Sequence, residues 1–375
     1  MKVTITQENF ARALSYVSKA ISTNPSIPVL ANVLIEVVEN ELKLSTTDLE
    51  LGISTKIGAD IKEDGKTTVD AKTLSEFVNS LSSGKLNVEK TDNILKVKNK
   101  FNSADFNIVS ADEFPPLPKP DDKIDIKVNA INFAKAIEKV TFSAASDDSR
   151  PVLTGILFEA TQKKLTMVGV DGFRLSRKIV DIKKSSKKEF THIVPAKALN
   201  EVARIVRDIC KDEDEIEIYI LGEKNQMLFI VKDVEISSRL IEGEFPEYKQ
   251  ILPKDVKFKF SVDKESLAKT VKIVSIFARS AVGNKAIFEF IPEKNHLKFS
   301  AQVADVGENE STVEIHEIDG GKLKTGFNIG FLNDMINAVE GDEINFESNG
   351  VTAPGVFKDK DDKDFLHIIM PMRLD

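Results

Sequence analysis

Phe10-Ala11-Arg12-Ala13-Leu14, Phe133-Ala134-Lys135-Ala136-Ile137 and Leu267-Ala268-Lys269-Thr270-Val271 are one pattern written three times. Each follows a short alternating segment, Val3-Thr4-Ile5, Ile126-Lys127-Val128 or Phe260-Ser261-Val262. Each also carries apolar anchors at helical spacing: Phe10, Leu14, Val17; Phe133, Ile137, Val140; Leu267, Val271, Val274. Residues three and four apart share one helix face, so each copy begins with a strand that feeds an amphipathic helix. The first two copies align without a gap. Phe10 and Phe133, Pro28 and Pro151, Leu42 and Leu165, and Asp48 and Asp171 are all 123 positions apart, and chance does not hold one offset over so long a run.

The segments from Pro28-Val29-Leu30 to Leu34-Ile35-Glu36 and from Pro151-Val152-Leu153 to Leu157-Phe158-Glu159 each read as one apolar strand, with Ile287-Phe288-Glu289-Phe290 as the third counterpart. A second helix returns as Leu74-Ser75-Glu76-Phe77, Leu199-Asn200-Glu201-Val202 and Leu332-Asn333-Asp334-Met335. Short β-like runs such as Lys66-Thr67-Thr68-Val69 and His192-Ile193-Val194 precede it. The copies end alike, in Glu113-Phe114-Pro115 and Glu244-Phe245-Pro246, each followed by a proline-containing connector. The expected class is therefore α+β, with three β-rich domains of two helices each at residues 1–120, 125–253 and 254–375. A repeat this long is a domain with its own core, not a layer of a solenoid.

With 375 residues and 41% hydrophobic content the chain can bury several cores. No stretch is long and apolar enough to cross a bilayer, and Met1-Lys2-Val3-Thr4-Ile5 does not start a signal peptide, so a cytoplasmic protein with no membrane partner is expected. The lone Cys210 excludes an intrachain disulfide and a cysteine-based zinc cluster, and reads as a small, partly buried thiol. A formal charge of −8 opposes nucleic-acid binding as an average over the surface. The distribution is different, because the position two after the first anchor is basic in all three copies: Arg12, Lys135 and Lys269. It lies about 200° round the helix, away from the buried stripe. Lys19, Lys139, Lys272 and Arg279 lie on or beside the same helices, and Lys72 and Lys197 take equivalent places in the second helices. Glu76, Glu201 and Asp334 interrupt the pattern, so such a face supports only weak, sequence-blind phosphate contact.

No catalytic motif is present: neither a phosphate-binding glycine loop, nor a His-Glu-x-x-His helix, nor a nucleophile elbow. His192, His296, His316 and His367 are scattered in strand-like runs. Asp359, Asp361, Asp362 and Asp364 lack the central glycine and terminal glutamate of a calcium loop and read as a solvated hairpin turn. Asp171-Gly172-Phe173-Arg174, with Asp48 aligned to Asp171, has no accompanying base; a turn-ordering aspartate accounts for it. The expectation is a protein without enzymatic activity, exonuclease activity included, and without metal or cofactor.

Taken in order, the three repeats, Asp171-Gly172-Phe173-Arg174-Leu175, Glu244-Phe245-Pro246-Glu247-Tyr248 and the ending Met370-Pro371-Met372-Arg373-Leu374 resemble the bacterial β sliding clamp of DNA polymerase III over essentially the whole chain. The resemblance implies three sliding-clamp domains forming half of a six-domain ring. Two copies would join head to tail around duplex DNA, with the helices lining the hole and Arg12, Lys72, Lys135, Lys197 and Lys269 facing the DNA. It implies contact across copies between Phe106 with Ile108 and Val282. It also implies a peptide pocket for DNA polymerase III and other polymerases, the clamp loader and repair proteins. Carried over by position, the pocket comprises Leu153, Val170, Gly172, Phe173, Arg174, Leu175, Pro246, Ile251, Ile368, Ile369, Met370, Pro371, Met372 and Arg373. Phe173, Gln250, Asn24, Gly283 and the additional Asp375 depart from the residues usual in the family. The rival reading is a repeat scaffold that binds only proteins, from which DNA-dependent retention would separate it.

Overall fold

The computed structural model describes every residue except 23, 24, 26, 187, 188, 254, 305 and 375, so Asn24 and Asp375 lie outside the described residues. The chain divides into two compact units. One comprises Met1–Ala134, Ile182–Lys188 and Lys197–Leu240; the other comprises Lys135–Asp181, Glu189–Ala196 and Ile241–Asp375.

Six helices occur among the described residues, two for each copy: α1 (Gln7–Val17), α2 (Ala71–Ser80), α3 (Ala130–Thr141), α4 (Ala196–Ile209), α5 (Lys264–Ala278) and α6 (Ile329–Ala338). Four of their starts carry side chains that take up otherwise unpaired helix N–H groups. Thr6 caps α1, Asp70 accepts from the Thr73 N–H of α2 at 2.7 Å, Asp263 accepts from Ser266 of α5, and Asn328 accepts from Gly330 and Phe331 of α6. The anchors Phe10, Leu14, Val17, Phe133, Ile137, Val140, Leu267, Val271 and Val274 are all buried. The three-times-written pattern is therefore a core pattern.

In the first unit, strand Asn32–Val38 lies between Glu41–Thr47 and Lys66–Asp70, and Glu41–Thr47 pairs in turn with Leu51–Ile57. Strand Leu51–Ile57 then pairs antiparallel with Val234–Arg239, the last strand of the middle copy, so one sheet runs on from the first copy into the second. A second sheet runs through Lys2–Thr6, Lys85–Thr91, Ile94–Lys98 and Ser103–Val109.

The second unit repeats that scheme. Gly155–Ala160 lies between Lys164–Val170 and Phe190–Pro195, and Lys164–Val170 pairs with Arg174–Ser185. Arg174–Ser185 then pairs with Phe365–Ile369, the last strand of the third copy. A separate four-stranded sheet carries Gly307–Glu314 at one edge, beside His296–Val303. The third copy has a phenylalanine-rich core. Phe260 stacks on Phe288 and Phe346 with centroids 6.1 and 4.8 Å away, and Phe288 meets Phe299 and Phe327 edge-on.

Three expectations need correction. Pro28–Ala31 and Pro151–Thr154 are single 3-10 turns, and the strands start only at Asn32 and Gly155. Proline, with fixed φ and no N–H, suits a first helical position and cannot continue a ladder. The acidic run is a hairpin turn but only partly solvated, with Asp361 exposed and Asp359 and Asp362 turned inward. Asp359 is buried, accepting from the N–H groups of Glu340, Gly341 and Asp361, and Asp362 accepts from Lys139 and Lys178 at 2.8 and 2.5 Å. Lys139, expected on the exposed basic face, is buried in that network and also lies over the Phe365 ring. The middle copy is thus tied by charge to the last hairpin of the third.

Candidate peptide site and basic surface

The Asp171 carboxylate orders the turn that begins the candidate pocket. Its Oδ1 accepts from the N–H groups of Phe173 and Arg174 at 2.8 and 2.9 Å, while Oδ2 accepts from Arg174 Nε at 3.0 Å. Gly172 takes φ +95, where a side chain is strained, and a Cβ there would meet the Arg150 guanidinium at 3.0 Å. Asp48 makes the same kind of turn in the first copy, accepting from Glu50 and Leu51. Neither aspartate is arranged as an acid or base.

Strand alternation then sets the pocket floor. Val170 stands opposite Leu175, Leu175 opposite Ile368, and Ile368 opposite Val356, so four apolar side chains line one face across four strands. With Leu153 they belong to one buried cluster, edged by half-buried Val152, Phe245, Ile251 and Leu252. Phe173, Pro246 and Met370 are exposed above it. Tyr248 donates to Glu159 at 2.5 Å and holds the Pro246 segment down; burial followed by that hydrogen bond pushes its phenol well above the ordinary tyrosine value.

Arg174 is fixed rather than free. Its Nη1 donates to Asp334 Oδ2 at 2.5 Å, and the guanidinium lies 4.3 Å from the Phe331 ring centroid and 5.4 Å from that of Phe142. Beneath it, His367 Nδ1 pairs with Ser176 Oγ at 2.7 Å, which reaches Ser143 Oγ at 2.7 Å. Burial, and secondarily the Arg174 charge, push the His367 imidazole down to about 3.

Of the residues carried over by resemblance, Leu153, Val170, Leu175, Ile251 and Ile368 come together in one cluster. Ile369 does not. It faces the phenylalanine core of the third copy, because neighbouring strand residues point to opposite faces. Nor is the tail free: Met370 N–H donates to Phe173 O at 2.8 Å, and Met372 N–H to Gly326 O at 2.7 Å. Arg373 and Gln250 are exposed, and Pro371 is half-buried. Missing from the expectation were Phe245, Tyr248, Val356, Leu366 and Arg150, whose Nη2 donates to Asp171 O at 2.9 Å. Phe245 and Tyr248 could have been found from the Glu-Phe-Pro segment; Val356 could not, since only the cross-strand register brings it there.

The basic residues are distributed over both units. Arg12, Lys72, Lys197 and Lys269 are exposed, whereas Lys135 is half-buried and bonded to Glu340 at 2.9 Å. Lys269 pairs with Glu265 one helical turn earlier at 2.7 Å, and Lys197 reaches Asp48 at 3.5 Å. Such exposed pairs are screened by water and are weak. Of the residues expected at a contact between copies, Phe106 is largely buried and meets Phe77 edge-on at 5.6 Å, Ile108 is half-buried, and Val282 projects into solvent. The neighbouring Gly283 has φ +68, and a Cβ there would sit 2.7 Å from Met372 Cε, which accounts for the missing bulky residue. Among the described residues no cluster of metal-ligating side chains occurs, and no helix is long and apolar enough to cross a membrane.

Comparison with known proteins agrees with this architecture copy by copy. The families described as the DNA polymerase III beta subunit N-terminal, central and C-terminal domains match residues 1–118, 127–247 and 249–373. The beta sliding clamp of Synechococcus elongatus is 28% identical over 380 residues, covering all of both chains, and that of Staphylococcus epidermidis is 26% identical over 385 residues, covering all of this chain and 99% of its own. Among solved structures, the DNA polymerase sliding clamp of Bacillus subtilis superposes with a TM-score of 0.94 at 22% identity, and that of Pseudomonas aeruginosa with 0.90 at 26%, each covering both chains completely. With all three of its domains matched in sequence order and its fold shared from end to end, this chain belongs to the family of bacterial DNA polymerase III beta subunits, the beta sliding clamps.

Proposed function

We propose that this chain is a DNA polymerase processivity factor without enzymatic activity of its own, acting in the cytoplasm at the nucleoid. Two copies close head to tail into a ring around duplex DNA. The ring slides without reading sequence and tethers DNA polymerase III, other polymerases, the clamp loader and repair proteins through the cluster around Leu175 and Ile368.

The observation that carries the ring is the repeated junction. Leu51–Ile57 pairs with the last strand of the middle copy, and Arg174–Ser185 with the last strand of the third. The corresponding strand of the third copy, Gly307–Glu314, is an edge. The last strand of the first copy, Ser103–Val109, is paired on one side only over residues 103–107. One free edge of each kind is what a head-to-tail contact between two copies requires, and such a contact closes where the rotation allows. Phe106, Ile108 and Val282 lie at those two ends. Domains at 1–120, 125–253 and 254–375 make each domain one sixth of the ring.

Arg12, Lys72, Lys135, Lys197 and Lys269 supply diffuse attraction, while enclosure provides retention. The test is to load the protein on circular DNA with a clamp loader. Expected is retention through a high-salt wash and release on linearisation. Equal release from intact circles and linear DNA would overturn topological binding in favour of surface attachment.

A further inference from the structure

Most cations around the peptide cluster already have partners. Arg174 donates to Asp171 and Asp334, Lys249 to Glu159 at 2.9 Å, and Arg150 to the Asp171 carbonyl. Lys178, on the opposite face of its strand, donates to Asp362. Arg177 differs. It is half-buried, its Nε is shut off from solvent without a hydrogen-bond partner, and no ion pair reaches its guanidinium among the described residues.

Strand register puts Arg177 on the floor of the cluster. It stands two residues after Leu175, so both point to the same face, about 7 Å apart. Its cross-strand neighbours are Val168 on one side and Leu366 on the other, and both belong to the cluster that holds Leu175 and Ile368. Tyr248 lies beside it, near enough for the Arg177 charge to act on the phenol. Glu159 is the acidic group of that neighbourhood, but its two oxygens take the Tyr248 hydroxyl and the Lys249 ammonium. An apolar pocket therefore holds a guanidinium for which the chain supplies no carboxylate. A half-buried cation without a counter-ion is costly, and a ligand carboxylate that reaches it gains charge-assisted hydrogen bonds, two at once where the pairing is bidentate.

We propose that Arg177 selects among partner peptides by receiving a carboxylate, from an acidic side chain or from the peptide's own C-terminus, one or two residues from the apolar side chain seated on Leu175 and Ile368. The spacing follows from the strand, since an extended peptide advances about 7 Å in two residues. The proposal rests on the peptide site proposed above and adds a charge preference that apolar burial alone does not supply. Arg174 is unsuited to this role, because it would have to give up Asp171 and Asp334.

The test is fluorescence titration with three labelled peptides: Gln-Leu-Ser-Leu-Phe-Ser blocked at both ends, the same peptide with Asp in the last place, and Gln-Leu-Ser-Leu-Phe with a free C-terminal carboxylate. Wild type should bind at least one of the acidic peptides about tenfold tighter than the neutral one, and the peptide that gains tells side chain from C-terminus. Arg177→Gln should erase the preference while binding the neutral peptide as wild type does. Arg177→Leu, which matches its Val168 and Leu366 neighbours, should do the same and guards against misfolding of the glutamine variant; melting temperatures check both. Equal affinity of wild type for all three peptides, or a preference that survives both substitutions, would overturn the role of Arg177 and leave the peptide site standing. Failure of wild type to bind any of the three would overturn the site and this inference together.

Discussion

His367 is fully buried, with Ser176 and the Phe142 ring as its neighbours. Its folded value of about 3 lies below the ordinary histidine value, so the unfolded chain binds a proton that the folded one refuses. The stability this neutral histidine supplies is complete above about pH 6.5 and declines as pH falls towards 3, by roughly 1.4 kcal/mol per pH unit. Thermal melts of wild type and His367→Gln across pH 4–8 should therefore converge on acidification, and parallel curves would exclude the histidine as the cause. On the pocket rim, Met370→Ser removes an exposed side chain without touching the backbone bonds of the tail. Titration with a labelled Gln-x-x-Leu-Phe peptide should show about tenfold weaker binding at an unchanged melting temperature, in keeping with loss of one apolar wall. Deleting the tail from Met370 onward is a poorer test, because it also breaks the Met372 bond to Gly326.

At the scale of elements, the same helix position does different jobs in two copies: Tyr16 donates to Asp208, and Lys139 donates to Asp362. The pattern of anchors gives the helix but not its neighbour, since that neighbour is a hairpin more than two hundred residues away in the case of Lys139 and Asp362. Burial raises the Asp362 carboxyl, but hydrogen bonds from Lys139 and Lys178 outweigh it and hold the group below the usual aspartate range. A lowered folded value means stability present above the unfolded value near 3.9 and lost as pH falls below it. Asp362→Asn should lower stability by about 1–3 kcal/mol at pH 7, by weakening two charge-assisted bonds, and the deficit should shrink below pH 4. Denaturant melts at the two pH values measure both effects.

For the whole molecule, a chain of formal charge −8 that is proposed to encircle DNA needs its attraction confined to one surface. Arg12, Lys72 and Lys269 are exposed on helices, so replacing all three by alanine should flatten the dependence of linear-duplex binding on salt. The slope of log affinity against log salt should drop by about 5 if each of the six residues lost from a dimer neutralises one phosphate. Filter binding over a salt series reads this directly, and an unchanged slope would place the DNA elsewhere. Retention on closed circles should change little, because enclosure does not depend on individual phosphates.

The sequence by itself determined the three copies, their two helices apiece, the buried anchors and the turn-forming role of Asp171, because periodicity and turn chemistry are local and each copy restates them. It also contained the marks of the family, down to the Met-Pro-Met-Arg-Leu ending. It misjudged Pro28–Ala31 as strand, Asp359 as solvated and Lys139 as exposed. The tertiary structure alone decided that Val356 joins Leu175 and Ile368 while Ile369 turns away, and that Arg174 is held by Asp334. These outcomes depend on which distant strands pair and in what register. A shift of one residue would exchange every inward side chain for an outward one, and no local pattern in the chain records that choice.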